Sequence, residues 1–252
     1  MGIRKFAPTP VKQKPARRDK PEMTLDRVLS RAGVASRTEA ARLIAAGRVT
    51  VDGRTVRNAQ QWVAPERERI CFDGQPLRAP RRLYWAFHKP AGVLTSHGDP
   101  DGRRTIYDVV GPLESWYFSV GRLDQDTTGL LLLTNDSIFA ERIANPDHKV
   151  GKLYRVQVAP ALQATQLDRL RGGLDIGRGQ RTAPARVEWL RENANGCWIE
   201  IEIHEGMNRQ VRRMIEALGH RVLQLQRVRI GKLELGGLKA GRVRPVRPSE
   251  VV

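Results

Sequence analysis

The sequence predicts an α+β protein in two unequal parts, a small helix-helix-hairpin unit followed by a larger unit of mixed strands and helices. Three observations lead there. Apolar residues at helical spacing give way to a hairpin between residues 23 and 57. Further on, residues 152–158 and 198–203 alternate apolar and polar side chains as half-buried strands do. Finally, 252 residues at 40% hydrophobic and 28% charged suffice for one large domain or two unequal ones with a real core, and exclude a wholly disordered, collagen-like or coiled-coil chain.

Residues 1–22 carry seven Lys or Arg against two acids, with prolines at 8, 10, 15 and 21 and almost nothing to bury, so they are expected to form a disordered basic arm. Such an arm serves equally as a solubilising tail or as a contact for phosphates. Leu25, Val28, Leu29 and Ala32 then fall at i, i+3, i+4 and i+7 between a possible N-cap, Thr24, and a stop at Gly33. Ser36-Arg37-Thr38-Glu39 has the form of a capping box and opens a second helix, with Ala40, Leu43 and Ile44 inward and Gly47 at its end. Val49-Thr50-Val51, a turn at Asp52-Gly53 and Thr55-Val56 make a hairpin, with another extended piece at 70–72.

A linker rich in Pro and Arg follows at 76–82. Beyond it, strands are expected at 84–87, 116–120 and 130–134, with a glycine- and aspartate-rich loop at 92–105. Asn135 or Asp136 caps a helix running to Ala144. In 198–203, Ile199, Ile201 and Ile203 share one face and Glu200 and Glu202 the other. Val211, Met214, Ile215 and Leu218 mark a helix closed by Gly219. The limits are therefore 1–22 for the arm, 23–80 for the small domain and 81–252 for the large one.

Charge is the first functional signal. Lys and Arg number 44 against 27 Asp and Glu, a net +17, which calls for a polyanionic partner, nucleic acid being the commonest. Membrane is the competitor, but the longest aliphatic run, Leu130 to Leu133, is far short of the ~20 apolar residues of a spanning helix. The basic N-terminus also lacks the apolar stretch of a secretory signal, so a cytoplasmic protein is expected. Cys71 and Cys197 are too far apart for redox or metal spacing and read as reduced structural thiols. The five histidines form no HExxH or His/Cys cluster, and no phosphate-binding glycine loop is present, so no metal and no cofactor is expected.

Arg27 and Arg31 lie on the polar side of the first helix, and Arg37, Arg42, Arg48, Arg54 and Arg57 decorate the second helix, the hairpin and its flanks. Almost single-signed charge over a compact unit favours RNA or DNA contact over a merely solvated face. Residues 25–33, Ser36-Arg37-Thr38-Glu39-Ala40 and the run from Ile44 to Gly53 resemble the S4-type RNA-binding domain. The resemblance implies that Arg27, Arg31, Arg37, Arg42 and Arg48 meet structured RNA.

Three segments of the larger unit can carry chemistry. Gly121-Arg122-Leu123-Asp124-Gln125-Asp126-Thr127-Thr128-Gly129-Leu130-Leu131 is charged and glycine-bounded, yet joins directly onto a strand that must be buried. Either Asp124 or Asp126 closes a turn onto the backbone of Thr127 or Thr128, or one of them acts as nucleophile or base. Their spacing of two also suits a weak case for paired carboxylates of a glycosidase. Tyr154, on the face of Val156 and Val158, is a core tyrosine or one whose hydroxyl edge reaches a cleft. In Glu205-Gly206-Met207-Asn208-Arg209-Gln210-Val211-Arg212-Arg213-Met214, helical spacing puts Arg209 and Arg213 away from the apolar face and Arg212 within reach of Glu216. Those arginines form a solvated face or a cationic wall for phosphate or a carboxylate.

In this order the segments resemble the pseudouridine synthases that modify ribosomal RNA, of the branch in which an S4-type domain precedes the catalytic domain. The matches are Lys89-Pro90-x-Gly92-Val93, Gly121-Arg122-Leu123-Asp124-x-x-Thr127-x-Gly129 with the strand through Asp136, Lys152-x-Tyr154, and Glu205-Gly206-x-Asn208-Arg209-Gln210-Val211-Arg212-Arg213-Met214. Gly121 before Arg122 separates this branch from the one with His there. His88 stands where Asn is frequent and Ser137 where Gly is frequent. The resemblance implies a mainly antiparallel mixed sheet and site-specific isomerisation of uridine to pseudouridine by a monomer acting on ribosomal RNA or a ribosome assembly intermediate, without cofactor or metal. It implies Asp124 as the essential carboxylate, Arg213 as its ion-pair partner and Tyr154 stacked on the flipped base. Substrate contacts fall to Arg122, Thr127, Lys89, Lys152, Arg209 and Arg212. A non-enzymatic RNA-binding protein on the same scaffold predicts a degraded Asp, Tyr and Arg set, and all three are present.

Overall fold

The computed structural model describes residues 22–78 and 81–252, so the expected arm, apart from Glu22, and residues 79 and 80 of the expected linker lie outside the described residues. The chain divides into two compact units. One holds the described residues up to Val28 together with Arg37–Leu77, and the other Leu29–Ser36 together with Arg78–Val252.

A two-residue strand β1 (Met23–Thr24) leads into α1 (Leu25–Arg31), whose last residues fall in the second division, and α2 (Arg37–Ala45) follows in the small unit. Leu25, Val28, Ala40 and Ile44 are buried, as the spacing predicts. The hairpin of β2 (Val49–Val51) and β3 (Arg54–Val56) turns at Asp52 and Gly53, both with positive φ, the geometry that Asp-Gly favours. After β4 (Trp62–Val63), which pairs with β1, strands β5 (Ile70–Phe72) and β6 (Gln75–Pro76) complete a sheet of order β3-β2-β5-β6.

The larger unit is built on one nine-stranded sheet. Its elements are β7 (Tyr84–Lys89), α3 (Ile106–Val110), β8 (Phe118–Val120), β9 (Thr128–Thr134), α4 (Ser137–Ala144), β10 (Lys152–Ala159) and α5 (Ala164–Gly172). Then come β11 (Arg186–Asn193), β12 (Gly196–Ile203), α6 (Gln210–Glu216), β13 (Arg221–Ile230), β14 (Leu233–Glu234) and β15 (Val243–Pro245). The order is β11-β12-β10-β13-β9-β7-β15, with β14 on β13 and β8 on β9. Every pairing is antiparallel except β13 with β9, as a mainly antiparallel mixed sheet requires.

The expected α4 forms with Asp136 as its N-cap, the carboxylate accepting from the amides of Ile138 and Phe139. Asn135 instead accepts from the Leu83 amide and donates to the Arg81 carbonyl. Ile199, Ile201 and Ile203 are buried against α5 and α6 in one core, and Leu131 and Leu133 join Phe87 and Ile106 in another. Tyr154 packs against both cores, which places it at the seam of the sheet. β13, the longest strand and a central one, escapes the sequence reading because a buried Arg227 and an exposed Leu223 break its alternation.

Candidate active site

Asp124 lies on the loop between β8 and β9, held from several sides. The Thr127 amide donates to the Asp124 carbonyl at 3.1 Å, so the turn is closed by backbone and not by the carboxylate. Gly92 N–H donates to Gln125 O, and Thr95 Oγ1 to Leu123 O. Lys89 is 0% exposed and spends its ammonium on three loop carbonyls, of Pro90 (3.1 Å), Gln125 (3.2 Å) and Thr127 (2.9 Å). Burial pulls its pKa down to about 8, although the Asp126 and Asp124 carboxylates pull it upward. Lys89 thus positions the loop from beneath and cannot reach a substrate, which corrects its reading as a substrate contact.

With the loop fixed this way, the Asp124 side chain, 29% exposed, borders a cavity of about 180 Å³. Tyr154 and Lys152 from β10, Arg227 from β13, and Ile203, Met207 and Leu225 line the rest, together with Arg122, Thr127 and Arg209. Tyr154 and Arg227 are register partners across β10 and β13. Arg227 Nε donates to Leu130 O at 2.8 Å and Nη1 to Tyr154 Oη at 3.4 Å, with the guanidinium 5.9 Å from the ring centre. Lys152 is buried, and its pKa is lowered by burial and by the neighbouring Arg227.

The arginines beside α6 are placed differently from expectation. Arg209 is the N-cap of α6 in the left-handed region, φ 48°. Its neighbour Gln210, buried, accepts from the Met207 amide and donates to Glu205, which pins that conformation. Because Arg209 stands outside the helix, the four-residue spacing no longer puts it on one stripe with Arg213. Arg209 Nη1 comes within 3.9 Å of Asp124 Oδ2 and 3.7 Å of Asp126 Oδ1.

Arg213 turns the other way and donates to the carbonyls of Ile176 and Gly177 and to Gln180 Oε1, so it does not pair with Asp124 and is not at the cavity. Arg212 is buried and pairs with Asp126 at 3.0 Å rather than with Glu216. It too is off the cavity lining, so its reading as a substrate contact is corrected to a clamp on the loop. Sequence reasoning misses Arg227 altogether, because β13 carries Arg221, Gln224, Gln226 and Arg229 as well and nothing in its pattern marks one arginine as buried.

In the small unit Arg27 and Arg42 are exposed, the latter 3.2 Å from Glu39. Arg31 is also exposed and has a partner of its own. Arg37 pairs with the buried Asp26 at 2.8 Å. Burial raises the Asp26 pKa, but the hydrogen bonds from Thr24 and Arg37 overcome it and leave a net lowering. Arg48 donates to Asp73 through Nε at 2.9 Å and lies over Phe72. Two of the five expected RNA-contacting arginines are therefore also structural. Among the described residues no group of three or more His, Cys, Asp or Glu is placed to hold a metal, and no helix is long and apolar enough to cross a membrane.

Comparison with known proteins places this arrangement in context. A family model for RNA pseudouridylate synthase matches residues 83–217, and one for the S4 domain matches 23–67. The chain is 38% identical to an RNA pseudouridine synthase of Aquifex aeolicus over 91% of its own length and 92% of the relative's. It is 37% identical to the ribosomal large subunit pseudouridine synthase B of Bacillus subtilis, over 90% and 93%. Identity is also 37% to the ribosomal small subunit pseudouridine synthase A of Vibrio cholerae, over 91% and 98%. A crystal structure of a pseudouridylate synthase superposes with a TM-score of 0.64 at 31% identity, covering 91% of this chain and 98% of that one.

Proposed function

Because the chain belongs to the RNA pseudouridylate synthase family, we propose that it isomerises a uridine of ribosomal RNA to pseudouridine in the Asp124 cavity, with one catalytic aspartate and no cofactor or metal. The reaction breaks the bond from uracil N1 to ribose C1′, turns the base and rejoins it through C5, so nothing is oxidised and no group is supplied from outside. The observation that carries this reading is Asp124 itself, a half-buried carboxylate fixed from behind by Lys89 and opened onto a cavity walled by Tyr154. The carboxylate attacks C1′ or C6, or removes a ribose proton. Tyr154 offers its ring to the base, and Arg209, in place of Arg213, aims the carboxylate. Extruding the base from its stack costs a few kcal/mol, offset by basic contacts to neighbouring phosphates.

Ribosomal RNA as the substrate is supported by relatives named for the large and small ribosomal subunits and by the net charge of +17. In this reading the small unit, matched by the S4 model, anchors folded RNA and the larger one operates on a single nucleotide. The test is to map pseudouridines in ribosomal RNA from cells with and without the protein. The purified chain, in EDTA and without additives, should then restore the missing pseudouridine. Asp124→Asn should bind the same RNA and make none, and turnover by that variant removes Asp124 from its role.

A further inference from the structure

Among the described residues six buried side-chain polar atoms have no hydrogen-bond partner, and three belong to residues lining the Asp124 cavity. They are Thr127 Oγ1, Lys152 Nζ and Arg227 Nη2. An unpaired buried donor costs free energy, more so when charged, and folding alone gives no reason to gather three around one hollow. Lys152 is 8% exposed and Arg227 4% exposed. Both line the same cavity, and burial together with the neighbouring Arg227 disfavours the charged form of Lys152. Both belong to the floor of the sheet, Lys152 two residues before Tyr154 on β10 and Arg227 opposite Tyr154 on β13. They flank the ring that meets the base.

We propose that Lys152 and Arg227 form an anion-stabilising floor for the uracil base, donating to its carbonyl oxygens O2 and O4 as negative charge develops there. The inference rests on the reading of the cavity as a pseudouridine-forming site. When the N1–C1′ bond breaks, its electron pair stays on the base and spreads over N1, O2 and O4. If the carboxylate first adds to C6, the displaced pair likewise passes to C5 and O4. The base later rejoins C1′ through C5 and gives up the C5 proton, so atoms and electrons balance with no further reactant. Fixed donors in a water-poor site are worth most where charge appears only during reaction. A base fits this floor better than a phosphodiester. Tyr154, Leu225 and Met207 make the cavity partly apolar, and the exposed Arg122 offers a cation to a phosphate at its rim without drawing on the buried pair.

The test uses the full-length protein and a ribosomal RNA fragment carrying the uridine mapped in the deletion strain. Lys152→Met, which keeps the side chain's length without its charge, should lower kcat on the order of 100-fold. Fragment affinity should stay within about twofold, and Tm should hold or rise because a buried unpaired cation is gone. Arg227→Lys, which keeps a cation able to reach Leu130 O, should lower kcat without unfolding the sheet. Substituting 2-thio- or 4-thiouridine at the target should slow the wild type and add nothing in the variant that has lost the matching donor. Lys152→Met turning over within about twofold of wild type overturns the proposal. So does a loss confined to affinity with a salt slope reduced by about one, the mark of a phosphate contact. A fall in Tm with unchanged kcat makes Lys152 merely structural and also overturns it. If the wild type itself forms no pseudouridine in the fragment, the functional reading and this inference fall together.

Discussion

Arg209 reaches to within 3.9 Å of the Asp124 carboxylate from a backbone held in the left-handed region, while Arg213, four residues on, is committed to the 176–180 loop. The two guanidiniums should therefore separate in experiment. Arg209→Gln removes a partly exposed ion pair, so stability should change little. Turnover should fall about tenfold, equivalent to ~1.4 kcal/mol in the barrier, as the carboxylate loses its aim. Arg213→Gln strands three carbonyls, of Ile176, Gly177 and Asn208, and a side-chain amide, and should cost roughly 1–3 kcal/mol of stability with kcat nearly intact. Urea unfolding and single-turnover kinetics on both variants check this, and equal kinetic damage from the two would contradict it.

Lys89 ties together the loop that carries Asp124 by donating to the carbonyls of Pro90, Gln125 and Thr127. Lys89→Met should cost roughly 1–3 kcal/mol, since it takes the ammonium from the buried Thr127 carbonyl while Gln125 O keeps the Gly92 amide. The wild-type group should titrate near 8, against about 10.4 in the unfolded chain. Between those values the unfolded state binds more protons, so this group's contribution makes stability rise with pH from about 8 to 10.5. NMR of lysine labelled at Cε should find one resonance moving with a midpoint near 8 and missing from Lys89→Met. An unshifted set of lysines speaks against the buried ammonium.

The parts of the fold legible in sequence are those whose local pattern agrees with their burial. β10 and β12 alternate cleanly because one face meets α5 and α6, and Asp136 announces α4 by the only chemistry an N-cap needs. β13 is invisible there because its inward side includes a buried cation, so a centrally placed strand reads as a charged segment. Asp124 is legible from its glycine frame, and its arginine is not. Helical periodicity assigns directions only inside a helix, and Arg209 sits one residue outside, where a Gln210 side chain and not the spacing decides.

Arg27 and Arg42 are exposed on the small unit, whereas Arg37 and Arg48 also serve internal carboxylates. Arg27→Ala and Arg42→Ala should therefore weaken binding of ribosomal RNA without unfolding anything, each reducing the slope of log affinity against log salt by about one. The kcat at saturating RNA should be unchanged. Arg37→Ala should add a thermal destabilisation, since it abandons a buried Asp26. Filter binding at several salt concentrations separates the two classes. A slope unaltered by Arg27→Ala and Arg42→Ala together would remove these side chains from the RNA contact.

The parallel pairing of β9 with β13 brings Gly129 against Arg227, and a β-carbon built on Gly129 would lie 2.2 Å from Arg227 O and 2.7 Å from its amide nitrogen. Neither atom belongs to a side chain that can swing aside, and φ of +106° is itself hostile to any L side chain. Gly129→Ala must push the two strands apart and should cost about 3 kcal/mol or more. Because β9 carries the Asp124 loop and β13 carries Arg227, turnover should be lost even in molecules that remain folded. Gly121→Ala makes the contrast. It has positive φ but nothing within 4 Å, so only the backbone strain of about 1–2 kcal/mol applies. Urea unfolding of the two variants side by side measures the difference, and a Gly129→Ala protein as stable as Gly121→Ala would mean that the two strands leave room for a methyl group between them.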